Sequence, residues 1–212
     1  MRQVAALFAS FFFAASAAAA DMPGEPPKVD MANGEAIATQ QCVACHGSDG
    51  NSAAGQWPKL AGQHADYLYK QLRNFKVQEG AETAERENAV MAGFAAMLSD
   101  QDMRDVSAYY AAQEIEPGFA SNKELLEMGQ EIYRAGIAEK SVPACAGCHS
   151  PNGAGIPAQY PRLSAQHAEY TASQLKAFRD GVRNNSAQMS TISARLSDKE
   201  IQAVSDYIAG LR

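Results

Sequence analysis

Two copies of one five-residue pattern constrain this chain more than any other feature. Cys42-Val43-Ala44-Cys45-His46 and Cys145-Ala146-Gly147-Cys148-His149 are both Cys-x-x-Cys-His, and together they use every cysteine of the 212 residues. Two thiols one helical turn apart can each bond a haem vinyl group, and the histidine that follows then lies under the iron. A redox dithiol does not need the trailing histidine. A zinc site of two cysteines draws on a second nearby pair. The pattern therefore predicts two covalently held c-type haems, one on Cys42 and Cys45 and one on Cys145 and Cys148. His46 and His149 are the expected proximal ligands.

The motif anchors a longer repeat. Cys42, Pro58, His64, Tyr67, Gln71, Leu72 and Phe75 recur 103 positions later as Cys145, Pro161, His167, Tyr170, Gln174, Leu175 and Phe178. Met91, Leu98, Ser99, Asp100, Val106 and Tyr109 recur 98 later as Met189, Leu196, Ser197, Asp198, Val204 and Tyr207. Gly34 and Ile37 recur 95 later as Gly129 and Ile132. The offset changes between helical patterns and not within them, so one all-α unit occurs twice in tandem. Leu68, Leu72 and Phe75, and again Met103, Val106 and Tyr110, fall on single helix faces. Ser99 to Asp102 reads as a capping box. No strand-like alternation competes. The expected domains are 21–117 and 118–212, joined by a linker over Glu114–Asn122 that contains Pro117-Gly118. The acidic segment from Glu79 to Glu87 reads as a solvated loop.

The chain opens with one positive charge, an apolar run through Phe11-Phe12-Phe13, and Ala17-Ala18-Ala19-Ala20. That order predicts a signal peptide over 1–20, cleaved after Ala20, and a periplasmic mature protein. The run is short for a bilayer span, so any membrane association is expected to come through partners. Residues 21–117 carry 15 acidic and 7 basic side chains, and residues 118–212 carry 9 and 10. No basic patch suggests nucleic acid. The asymmetry instead makes a dipole that can orient the molecule toward charged partners.

The second axial ligand decides the chemistry. In the first unit His64, Met91, Met97 and Met103 are candidates; in the second, His167 and Met189. Met97 aligns with Arg195 and Met103 with Ile201, so neither has a ligating counterpart. His64 and His167 match each other, but each lies 18 residues after its proximal histidine, at the start of a helix. Met91 and Met189 lie 45 and 40 residues on, where the intervening connection is long enough to wrap to the far face. The methionine pair is preferred, with the histidine pair as the alternative.

The order Cys-x-x-Cys-His-Gly, Pro-Lys-Leu-Ala-Gly-Gln, Tyr-x-x-x-Gln-Leu, a methionine, and Leu-Ser-Asp before a last helix resembles class I cytochromes c. Two such units in one exported chain resemble the dihaem cytochrome c4 family. The resemblance implies axial pairs His46/Met91 and His149/Met189. It also implies hydrogen bonds from the proximal imidazoles to the carbonyls of Pro58 and Pro161, and helix crossings at Gly34 with Tyr109 and at Gly129 with Tyr207. It further implies a one-electron carrier whose redox partners are a quinol-oxidising complex and a terminal oxidase or reductase. The alternative is a dihaem enzyme, a peroxidase or sulfur-compound dehydrogenase, or an electron-transfer subunit of one. Trp57 and Tyr160 are expected against the haem edges. Lys59 and Arg162 are expected either on propionates or in solvent.

Overall fold

The computed structural model describes residues 28–157 and 159–212; the expected signal peptide lies outside them. Among these residues the only secondary structure besides helices is three isolated bridges, so the all-α expectation holds.

Asp30 starts the first helix. Its carboxylate accepts from the backbone N–H groups of Ala32 and Asn33 at 3.0 and 3.1 Å, donors with no partner inside the helix. Helix α1 (Met31–Ile37) passes into a π-helical turn over Ala38–Cys42 and then into α2 (Val43–His46). After a loop come α3 (Ala65–Asn74), α4 (Ala89–Met97) and α5 (Asp100–Ala111). Ser99 and Asp102 form the expected capping box on α5. The second unit repeats this order as α6 (Leu126–Ala135), α7 (Ala146–His149), α8 (Ala168–Arg179), α9 (Ala187–Ser193) and α10 (Asp198–Ala209). The change of offset from 95 to 103 has a simple form. Where the first unit runs straight from helix into haem motif, the second leaves α6 at Gly136 (φ +78°) and turns back through an Ile137–Val142 bridge.

Each unit closes where its first helix crosses its last. A Cβ on Gly34 would stand 2.3 Å from the Asp105 carbonyl oxygen and 2.9 Å from Tyr109 Cβ. One on Gly129 would stand 2.2 Å from the Ala203 oxygen and 2.8 Å from Tyr207 Cβ. Both crossings implied by the resemblance are therefore present, and backbone that cannot move aside enforces the glycine. Gly129→Ala is expected to cost about 1–3 kcal/mol, as overpacking does. A thermal melt of the haem-loaded protein checks this; an unchanged midpoint would show that the helices can part without loss.

Ile37, Leu68, Phe75, Met103, Val106 and Tyr110 form the first core, and Ile132, Tyr133, Val204, Ile208 and Leu211 the second. The linker is tied to both. Asn51 and Lys59 bond its first half, through the Glu114 oxygen at 2.9 Å and the Glu116 oxygen at 2.7 Å. The Asp206 carboxylate accepts from the backbone of Ser121 and Asn122 at 2.9 and 3.1 Å. Lys59 is thus buried and tied to the linker, not solvated, and it lines the cavity that holds both haem motifs.

The units face each other through paired contacts that swap ends. Gln63 donates to the Arg162 carbonyl and accepts from its N–H, both at 2.9 Å; Gln166 does the same with Lys59, also at 2.9 Å. The segment read as a solvated acidic loop belongs to this seam. Arg86 bridges to Arg183, Asn184 N–H donates to the Glu85 carbonyl at 2.8 Å, and Glu87 N–H to the Val182 carbonyl at 3.3 Å. The acidic side chains stay outside, while Arg86 turns inward with only 8 % exposure.

Candidate haem sites

Each Cys-x-x-Cys-His motif spans one short helical turn, so its first cysteine lies three residues before the second and four before the histidine, the spacings that share a helix face. Cys42, Cys45, His46 and Met91 line the same cavity as Cys145, Cys148, His149 and Met189. Its volume is about 750 Å³ and it runs across both units. Leu68, Phe75 and Phe94 give it apolar walls on one side, and Leu175, Phe178 and Ile192 on the other.

The two histidines expected as proximal ligands are built alike. His46 Nδ1 lies 3.0 Å from the Pro58 carbonyl oxygen, and His149 Nδ1 lies 3.0 Å from that of Pro161. A carbonyl only accepts, so Nδ1 carries the proton and the Nε2 lone pair is left for a metal. Burial pushes both imidazoles below their ordinary value, outweighing the proline carbonyls, which act the other way. The neutral, ligand-competent form is therefore favoured. Burial also raises the Cys42 thiol, and that of Cys145 to about 11, so both remain protonated in the free chain.

The two methionines lie on helices and not in the wrapping connection that chain length suggested. Asn88 caps α4 by accepting from Met91 N–H at 2.9 Å, and Ser186 caps α9 by accepting from Met189 N–H at 3.4 Å. These caps fix both side chains at equivalent places in the two units. The other candidates lie elsewhere. Met97 is 65 % exposed and Met103 is sealed in the core. His64 Nε2 bonds the Ala154 carbonyl and His167 Nε2 that of Ser52, each at 2.9 Å and each across the seam. An Nε2 that donates to a carbonyl has no lone pair for iron.

Trp57 and Tyr160 both line the cavity, and the Tyr160 ring stands edge-on to His149 at 5.9 Å. Arg162 also lines it, with its Nε buried and without an acceptor among the described residues. Two thiols, an imidazole with a free Nε2, a thioether, apolar walls and one orphaned cationic donor together fit a covalently attached, dianionic haem. When bound, haem supplies reversible one-electron chemistry at iron. The chain's own part is to hold that group, orient its proximal ligand and keep water from its faces.

Sequence reasoning missed two residues here. Arg86 and Arg183 line the cavity from the seam. They are 97 positions apart, which matches neither the 103 nor the 98 offset, because both lie in the segment where the repeat changes length. The five-residue spacing Arg86 to Met91 and the six-residue spacing Arg183 to Met189 was the only available signal.

Comparison with known proteins agrees with this geometry. The cytochrome c family profile matches residues 31–112 and again 126–212. Cytochrome c4 of Thiocapsa roseopersicina is 48 % identical over 198 residues, covering 92 % of this chain and 96 % of that protein. The crystal structure of reduced recombinant cytochrome c4 from Pseudomonas stutzeri is 41 % identical with a TM-score of 0.80, covering 87 % of this chain and all of that one. A protein of Stutzerimonas stutzeri named thiosulfate dehydrogenase electron acceptor is 39 % identical, covering 87 % of this chain and 85 % of its own length. Both halves of the molecule hold covalent haem c on their cysteine pairs, and the chain belongs to the cytochrome c4 family of dihaem electron carriers.

Proposed function

We propose that this protein carries single electrons in the periplasm, from a quinol-oxidising complex toward a terminal oxidase or reductase, with axial pairs His46/Met91 and His149/Met189. The placement of Met91 and Met189 on the cavity wall, capped alike on α4 and α9, carries this reading. His/Met ligation leaves no open position for a substrate, and the soft sulfur favours ferrous iron, which raises the potential. An acidic first unit and a near-neutral second support different partners at the two ends. We place these two electron-holding units at 21–117 and 118–212, with export directed by residues 1–20.

The test is carbon monoxide added to the fully reduced protein. The expected result is no rapid binding at either haem. Fast, stoichiometric binding at one of them would replace the carrier reading with an enzymatic one. A second source of electrons has support in the relative named as an acceptor for thiosulfate dehydrogenase. Mixing the oxidised protein with such a dehydrogenase and thiosulfate would reveal that route as rapid haem reduction.

A further inference from the structure

We propose that Arg86 and Arg183 form one cation site, shared between the two units, that neutralises the carboxylates of both haems and couples their potentials. The proposal rests on haem occupancy and not on the identity of the redox partners.

Both guanidiniums are buried, at 8 % and 6 % exposure. Each lies over a phenylalanine of its own unit, Arg86 over Phe75 at 4.5 Å and Arg183 over Phe178 at 4.4 Å. Each then reaches across the seam. Arg86 donates to the Tyr170 hydroxyl at 2.6 Å and to Gln174 at 2.9 Å; Arg183 donates to the Tyr67 hydroxyl at 2.8 Å and to Gln71 at 2.9 Å. They also donate to the glutamine on their own side, Arg86 to Gln71 at 3.0 Å and Arg183 to Gln174 at 2.9 Å. The two cations therefore share both glutamine oxygens and behave as one polar cluster.

Every acceptor in that cluster is neutral. No ion pair among the described residues includes Arg86 or Arg183. Two like charges buried side by side are strongly unfavourable unless an anion meets them. Both line the cavity that holds the haem motifs of both units. Glu87, the one carboxylate side chain on the cavity wall, is exposed and pairs with neither guanidinium, so the anions that fit this buried pair are haem carboxylates. Tyr67 and Tyr170 add to the site, because each accepts from a guanidinium and keeps its own O–H to donate. The hydrogen bonds cross the seam in both directions, so neither cation belongs to one haem alone.

This arrangement has an electrical consequence. A buried positive charge favours the reduced state of a nearby haem, whose net charge is one unit more negative. Removing either arginine removes charge from the shared site, so both haems respond.

The experiment is a redox titration of the haem-loaded Arg86→Gln and Arg183→Gln proteins, followed by visible spectroscopy. Either single variant is expected to lower both midpoint potentials. At a fixed applied potential, each haem's ferric-to-ferrous ratio should rise about tenfold, the ratio that 1.4 kcal/mol carries. A shift confined to one haem would overturn the sharing, and no shift would overturn the site. Arg86→Lys and Arg183→Lys guard against failure to fold. They keep the charge and lose the fork, so the proposal expects near-normal accumulation and potentials. If the lysine variants fail along with the glutamine ones, the guanidinium's hydrogen-bond geometry matters and the charge site falls. None of these outcomes bears on carbon monoxide binding, so the carrier reading is tested separately.

Discussion

Met91→Ala is expected to lower the potential of one haem, and Met189→Ala that of the other. Each change should also open its own iron to carbon monoxide. The reasoning starts from local structure. Both side chains project from the first turn of a helix whose start is held by a capping residue, Asn88 on α4 and Ser186 on α9. Alanine keeps the caps and is a good helix former, so the helices should survive. What leaves is the thioether on the cavity wall. Replacing a soft axial sulfur by water or by nothing favours ferric iron. Axial ligands span roughly 0.8 V of haem potential, and a sizeable fraction of that range is expected here. Redox titration and carbon monoxide difference spectra read both effects. Two companion variants sharpen the result. His64→Ala and His167→Ala should leave the spectra unchanged, because those imidazoles donate to Ala154 and Ser52 carbonyls across the seam. If a histidine variant shifts the spectrum and a methionine variant does not, the axial assignment reverses.

Much of this was legible from the chain itself, for physical reasons that differ by residue. Cys-x-x-Cys-His is local, so the four thioether cysteines could be read directly, together with the histidine that follows each pair. The glycine–tyrosine crossings needed an analogy, because nothing local to Gly34 says that Asp105 and Tyr109 will press against it. Met91 and Met189 were found by repeat matching, yet their setting was misjudged. Ala89–Met97 contains no polar residue, and a helix without two-faced patterning gives no periodic signal. The seam was the least visible part. Gln63, Gln166, His64 and His167 spend their polar groups on the other unit's backbone, at sequence distances of 90 or more. No helical or strand period encodes such a contact. Arg86 was hidden further by acidic neighbours that do face water. Four of the nine residues from Glu79 to Glu87 are glutamates, which is enough to make a buried cation look like part of a solvated loop.

The second large effect is expected at a position where the two units solve one problem in opposite ways. Behind each haem motif a tyrosine hydroxyl donates to the carbonyl just after the proximal histidine. Tyr110 reaches Gly47 at 3.2 Å and Tyr133 reaches Ser150 at 2.7 Å. These tyrosines are not repeat equivalents. Tyr110 comes from α5, the last helix of its unit, and Tyr133 from α6, the first helix of its own. At the 98 offset Tyr110 matches Ile208, and at the 95 offset Tyr133 matches Ala38. Both small partners are sealed, Ala38 at 0 % and Ile208 at 2 % exposure. The ring has moved from one helix to the other while the space it fills stayed in place. Tyr110→Ile should therefore cost about 3 kcal/mol or more, as deletion of a buried ring does, and leave the Gly47 carbonyl with only the Gly50 N–H at 3.3 Å. Ala38→Tyr alone should also destabilise, because a second ring has no room beside Tyr110. The double variant rebuilds the arrangement of the second unit. It should be less destabilised than the sum of the singles by about 1–3 kcal/mol, the range of coupling between touching residues. Denaturant melts of the four haem-loaded proteins give that coupling. A sum that is simply additive would mean the π-helical turn at Ala38–Cys42 cannot present a ring where α6 presents Tyr133, and that the two units are not interchangeable behind the haem.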